Sequence, residues 1–522
     1  MNDLNISAAS LKLRQVPPQG LRRNAMFACV VVLLLSSQTA FVSRVSAQSI
    51  TALQPTSCQP GVPAKLKIRG SKLPNDLRVV SHRKEVKVAI EKGSDTEATL
   101  VVEVPSDAKS GPFGLWFATA SGPLTSKVVL IDELATVIDN GNNHSVATAQ
   151  SVNTLGAVDG SSDGTKSDHY RFHVEAGQRV AFEVLTQAIH SKMDPMVRLL
   201  HPDGRVLHVA DDDSIGPDCR FSYTFAESGD YILQVGESHY VAGGEYHLRI
   251  GDFPIVHHAF PLAVRRGESA KIGFTGPDAS SVVASEVASH SSTNTSSSNS
   301  QFLNVPSRFA DGRSASWGTI VASPFPQHME SVAVNSAEKQ NTELAKQVID
   351  VPIGISGRLE QQGERDSYWL RGTKGQVLRF ASRTRSLGCA TMLQMSLWSS
   401  AGAKLAETPV NESDEWSFDA TLPEDGEYRL EVGDLLKRGG TEYGYWVEVI
   451  PSGGFSIAIK ADAKGRQAFP IEESTGGCVV DLQIARFGYE GEIELSLGEG
   501  VDGLRLLNPR IAKGARGWIM PL

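Results

Sequence analysis

The sequence predicts an all-β protein built from tandem β-sandwich domains, and three observations carry that expectation. One unit recurs at a fixed offset. Asp168-His-Tyr170-Arg-Phe172, the Gly177 turn and Gly229-Asp-Tyr231 return as Asp366-Ser-Tyr368-Trp-Leu370, Gly375 and Gly426-Glu-Tyr428, 197 or 198 residues later. So constant an offset marks an array of domains rather than one large fold. Short runs of alternating polar and apolar residues, separated by Gly and Pro turns, supply the strands. Helical patterning is confined to one short stretch, 336–348.

Taken in order, the chain opens with Arg22 and Arg23 ahead of an apolar run, 25–35, and Val45-Ser46-Ala47 stands before Gln48. The run is about half of the ~20 residues that cross a bilayer. Residues 1–47 therefore read as a signal peptide, with a retained anchor as the alternative. No later stretch is long and apolar enough to span a membrane.

Residues 48–134 read as an Ig-like sandwich. Lys65-Leu66-Lys67-Ile68-Arg69 alternates between Gly61 and Gly70, a second strand covers 97–104, and a third follows Gly111-Pro112. Residues 135–252 hold the first copy of the recurring unit. There Val180, Phe182 and Val184 alternate with Ala181 and Glu183, which predicts one buried and one wet face. Pro202-Asp203-Gly204 is a turn, with Ala401-Gly402 in its place in the second copy, and Tyr246 matches Tyr445.

Residues 253–349 read as a second Ig-like sandwich, because the Gly61–Gly70 pattern returns between Gly267 and Gly276, 206 residues on. The repeat is thus a two-domain unit used twice. The Ser-rich stretch 280–300 cannot bury apolar surface and reads as a mobile loop or linker. Residues 350–450 form the second copy. Residues 451–522 begin a third Ig-like piece with a strand at 490–497. The chain stops short of the closing strands such a domain needs, as in a truncated product or a fragment.

Composition narrows the function classes. Fifty Lys and Arg against 59 Asp and Glu give a net charge of −9, without the basic footprint of a nucleic-acid binder. Of five cysteines, Cys29 leaves with the signal; Cys58, Cys219, Cys389 and Cys478 are scattered and form no CxxC pair. Buried free thiols fit better than disulfides or structural zinc.

The sequence contains no HExxH helix, G-x-S-x-G elbow or P-loop. Asp211-Asp212-Asp213 with Asp218 fails as an EF-hand, since Ile215 and Ser222 occupy ligand positions. It reads as a solvated hairpin loop, with a cation contact as the alternative. His257 and His258 are adjacent on a strand, so they point to opposite faces and cannot easily share a metal. Tyr240, Tyr246, Trp398, Trp416, Tyr445 and Trp446 read mostly as core, with an aromatic binding face as the alternative.

The run Asp168-x-Tyr-x-Phe, Met193-Asp194-Pro195-Met196-Val-Arg-Leu, Pro202-Asp-Gly204, Asp211-Asp212-Asp213 and Gly229-Asp-Tyr-Ile-Leu-x-Val resembles the bacterial pre-peptidase C-terminal domain. The resemblance covers 137–252 and, more loosely, 350–450. It implies jelly-roll β-sandwiches alternating with the Ig-like ones, in a domain that is not itself a peptidase. Some relatives bind Ca²⁺ where the incoming linker meets the first strands. The resemblance implies Asp139, Asn143, Asp163 and Asp168 as oxygen donors here, although Lys166 falls on the first acid of the family's Asp-x-Asp-x-Tyr pattern. A hydrogen-bonded junction without metal is the alternative. In the second copy Glu364 and Asp366 keep the acidic pair, but the linker at Asp350 lacks the Asn run.

The expected function is that of an exported, non-catalytic protein for adhesion, binding or spacing at the cell surface or in the periplasm. Its ligand would be an extracellular polysaccharide or a protein. The rivals are an accessory portion of a secreted hydrolase whose catalytic domain lies elsewhere, and a hydrolase using unfamiliar residues.

Overall fold

The computed structural model describes residues 49–91, 93–119, 122–289, 301–330, 347–409, 415–452, 454–460, 479–487, 491–495 and 506–521. The signal peptide, most of the expected helix at 336–348, residues 290–300 and Cys478 lie outside the described residues. Strands account for nearly all regular structure, and the helices among the described residues are single 3₁₀ turns. The protein is all-β, with two sheets to each sandwich.

In the first sandwich, Ser49–Gln54, Ala64–Ser71, Glu97–Glu103 and Lys87–Glu91 lie side by side in that order. They face Ser57–Cys58, Gly122–Ile131, Gly111–Thr119 and Arg78–Ser81. Alternation decides the faces: Ala98, Leu100 and Val102 turn inward along Glu97–Glu103 and pack with Leu66, Ile68 and Phe117.

The second and fourth sandwiches share one topology, strand for strand. In the second, one sheet runs Thr136–Ile138, Gly156–Ser162, Gly244–Gly251, Arg179–Leu185, Cys219–Thr224. The other runs Gln150–Ser151, Asp168–Val174, Gly229–Glu237, Pro195–Leu200, Val206–Ala210. In the fourth, the same places are held by Gln327–Met329, Ile353–Arg358, Gly444–Pro451, Val377–Arg383, Ser417–Thr421. Its second sheet runs Val348–Ile349, Arg365–Gly372, Gly426–Asp434, Leu393–Ser399, Lys404–Glu407. Gln327–Met329 pairs in parallel with Ile353–Arg358, so strand pairing in this sandwich starts well ahead of residue 350.

Between them, the third sandwich opposes Ala259–Phe260, Ser269–Phe274 and Ser285–Ala288 to Ala263–Arg265, Ser316–Ser323 and Gln301–Ser307. Part of the Ser-rich stretch is therefore ordered: Ser285–Ala288 pairs with Ser269–Phe274 and sends Val287 into the core. In the last segment Arg510–Ile511 and Gly517–Pro521 pair with Ile493–Glu494 and Val479–Phe487, so strands do follow residue 497.

The expected wet face of Arg179–Leu185 is not wet. Ala181 has no exposed surface and Glu183 is buried, because neighbouring sandwiches cover that side. Ala181 packs with Leu134, Ala157 and Phe253. Arg249, also without exposed surface, reaches Glu183 at 2.6 Å and Asp132 at 2.7 Å, and donates to the Ala315 carbonyl at 2.5 Å. Its guanidinium lies 4.4 Å from the Phe253 ring centre and 4.9 Å from that of Trp317. Three sandwiches thus meet around one buried arginine. The modules are interlocked, not independently packed as the repeat pattern implied.

Candidate functional site

The most informative geometry repeats at the place where each incoming linker enters a ten-stranded sandwich. Tyr170 and Tyr246 come from opposite sheets, turn inward and join their hydroxyls by a hydrogen bond. Tyr246 donates to Asp168 Oδ2 at 2.7 Å, which leaves the single Tyr170 proton for the Tyr246 oxygen, with Asp139 Oδ1 3.2 Å from the Tyr170 hydroxyl. Gly160 makes this possible: a Cβ there would lie 2.2 Å from the Tyr246 ring. In the fourth sandwich Tyr368 and Tyr445 hydroxyls lie 2.6 Å apart, Tyr445 donates to Asp366 at 2.7 Å, and Gly357 leaves the space.

Around the first tyrosine pair the structure brings together Asp139, Asn143 and Asp168. Asn143 is fully buried; its Nδ2 donates to the His169 carbonyl at 3.4 Å, while its Oδ1 has no hydrogen-bond partner. Burial pushes the Asp168 carboxyl up to about 6; the nearby Asp139 charge adds to this, whereas Tyr246 and His144 oppose it. His144 Nδ1 stands 3.3 Å from Asp168 Oδ1. An orphaned carbonyl oxygen beside two crowded carboxylates is a donor set suited to a hard cation.

Asp163 is spent elsewhere. It accepts from the backbone N–H groups of Thr165 and Lys166, both at 2.8 Å, and lies 3.7 Å from the Lys166 ammonium. These bonds hold its carboxyl down to about 2. Among the described residues no set of three converging acids includes it.

The second site has a member that sequence reasoning missed. Glu330, Glu364 and Asp366 bring carboxylate oxygens within 4.8 Å of one another. Glu330 occupies the place of Asp139: its N–H donates to the Ser356 carbonyl at 2.9 Å, as that of Asp139 does to Asp159. The spacing hid it, since Glu330 follows Asp139 by 191 residues rather than 198. Asp350 is instead exposed and lies 3.7 Å from Arg371.

Other candidates divide. Asp194, Asp211 and Asp212 converge, beside a groove of about 480 Å³ that Asp213, Lys192 and Arg385 also line. Asp218 caps the turn at Gln187–Ile189 by accepting from Thr186 and Gln187 N–H, and Asp213 pairs with Arg220. His257 lies 3.5 Å from Glu442, whereas His258 Nδ1 lies 3.0 Å from its neighbour's carbonyl, Ala259 O. Tyr246, Trp416, Tyr445 and Trp446 are core; Tyr240 is exposed and Trp398 partly so. Cys58, Cys219 and Cys389 are free, buried thiols. Among the described residues no helix is long and apolar enough to cross a membrane.

No family model matches the chain, and no curated protein matches it. Similarity to solved structures is limited to fold. The pre-peptidase C-terminal domain of collagenase from Bacillus anthracis is 20% identical, covering 19% of this chain and 92% of that one, with a TM-score of 0.17. PliG from Salmonella Typhimurium, a periplasmic inhibitor of g-type lysozyme, is 17% identical over 20% of this chain and 96% of its own, with a TM-score of 0.14. The Bacteroides ovatus mixed-linkage glucan protein SGBP-B, solved with a heptasaccharide, is 8% identical over 76% of this chain and 71% of its own, with a TM-score of 0.15.

Proposed function

We propose that this is an exported, non-catalytic scaffold of the cell surface or periplasm, which holds binding modules at fixed spacing and takes an extracellular polysaccharide or protein as ligand. The observation that carries this reading is the interlocking of the first three sandwiches around Arg249, which converts a row of modules into one rigid body. Spacing and presentation need that rigidity. A reaction centre would instead need an accessible nucleophile or paired acid and base. Asp132, Asp159, Glu183, His247 and Arg249, buried between these sandwiches, are engaged with one another.

Calcium is part of the proposal. Asp139, Asn143 and Asp168 would hold it in the second sandwich, and Glu330, Glu364 and Asp366 in the fourth. Bound there, the cation supplies positive charge that the crowded carboxylates lack, stiffening the linker against the first strands. Asp163 has no part in it. The test is retention of the full chain on immobilised cell-wall glycans and matrix proteins, with calcium and with EDTA. Retention on a defined polymer supports the reading. Turnover of glycan or peptide substrates by the pure protein would replace it with the hydrolase alternative.

A further inference from the structure

His247 sits without exposed surface between two carboxylates from separate stretches of chain. Its Nδ1 is 2.6 Å from Asp159 Oδ1, and its Nε2 is 3.0 Å from Asp132 Oδ2. A neutral imidazole has one N–H, so only the imidazolium donates to both. Burial opposes that charge, but Asp159 and Asp132 overcome it and raise the imidazole to about 9.

Every element packed on His247 contributes to the balance. Asp132 comes from the linker leaving the first sandwich, Asp159 from Gly156–Ser162, Glu183 from Arg179–Leu185, and Arg249 from its own strand. The first sandwich adds Thr56, whose N–H and hydroxyl donate to Asp159 at 2.5 and 2.7 Å. Glu245, on the same strand, is raised by burial, with Asp159 adding and Lys127 opposing. The Cys58 thiol is pushed up to about 12, chiefly by burial, and stays neutral throughout. At the rim Arg308 pairs with Glu133. Asp132, Asp159 and Glu183 oppose His247 and Arg249, so the buried centre carries one excess negative charge. Loss of the His247 proton makes it two and takes one donor from either Asp132 or Asp159, which then rely on Arg249 and Thr56 respectively.

We infer that this cluster is a proton-dependent lock: while His247 bridges Asp132 and Asp159 the first three sandwiches move as one body, and loss of its proton frees the first from the second. The third–fourth junction contains its own control. Trp446 occupies the place of His247 there, opposite Ser356, and packs with Leu262, Ala263, Val321, Leu387 and Cys389. The nearby His258 is held down to about 4 by burial and stays neutral across the range in which His247 titrates.

The sign follows from linkage. His247 is raised in the folded protein, so its contribution is complete below the unfolded value of about 6.5 and is lost as pH rises through about 9. The full chain is followed by calorimetry and small-angle scattering from pH 6 to 10.5, with the His247 ring proton observed by NMR. The expected result is a His247 midpoint near 9. One transition then loses about 4 °C or more between pH 6.5 and 9.5, and scattering shows the chain expanding over the same interval. In Asp159→Asn a neutral imidazole satisfies the one remaining carboxylate, so the pH response flattens; in Trp446→Phe it persists. A His247 midpoint near 6.5, or a melting profile that is level between pH 6.5 and 9.5, overturns the lock. So does an Asp159→Asn protein that keeps the full response. Should that variant fail to fold, the wild-type midpoint and profile decide the matter.

Discussion

The junctions between the first and second sandwiches and between the third and fourth are built on the same backbone and filled with contrasting chemistry. In the first, Thr56 and Ser57 face Asp159 and Thr136, and Asp132, His247, Glu183 and Arg249 complete a buried polar cluster. In the second, Leu262 and Ala263 stand where Thr56 and Ser57 stood, 206 residues earlier. Ser356 and Ala381 replace Asp159 and Glu183, and Trp446 replaces His247. The apolar version is held chiefly by buried area, with one hydrogen bond from Trp446 Nε1 to Gln327. The ionic version holds only when every partner is present and aligned, which fixes an angle at the cost of desolvating its charges. One topology thus yields a specific joint and a general one.

The comparison breaks most visibly at Arg249. Arg249→Met leaves Glu183 without its counter-charge and Asp132 with His247 alone, and a loss of about 3–5 kcal/mol is expected for the first three sandwiches. Denaturant unfolding of the full chain measures it; a loss below about 1 kcal/mol would show the cluster to be incidental. Trp446→Ala should cost a comparable or slightly smaller amount, about 3 kcal/mol, at the second junction alone. That loss is expected to be the same at pH 6 and pH 9.5, unlike any change at the first junction.

Two smaller effects sharpen the contrast between the linker sites. Glu330→Gln should abolish a calcium-induced rise in melting temperature of the fourth sandwich, read as the difference between calcium and EDTA. An unchanged difference would remove Glu330 from the ligand set. In the second sandwich Lys166→Glu restores the acid found at Glu364 and should strengthen calcium binding measured by titration calorimetry. Binding there should weaken below about pH 6, because Asp168, raised by burial, then keeps its proton. Tyr246→Phe and Tyr445→Phe should each cost about 1–3 kcal/mol, since each hydroxyl bonds both a second tyrosine and a carboxylate.

One convergence of side chains was legible before any coordinates. Asp139, Asn143 and Asp168 do meet, because the motif and the turn ahead of it place them at one end of one sandwich. Asp163 stands apart from them, because backbone N–H groups two and three residues on engage its carboxylate. Glu330 was missed because the offset changes in the linker, where the chain is free to vary in length. The expected wet face of Arg179–Leu185 failed for another reason. Alternation reports two faces but not what covers the outer one.

The sequence by itself determined the all-β plan: strands from period-two runs, turns from Gly and Pro, and, from constant offsets, the shared topology of the second and fourth sandwiches. Strands and turns are local properties set by residues close together in the chain, and the repeat is read by comparing two such stretches. Only the tertiary structure decided that the modules interlock, since Asp132, Asp159, Glu183, His247 and Arg249 are scattered over more than a hundred residues. A charge is buried only when its partners arrive together, and no window of sequence records that arrival.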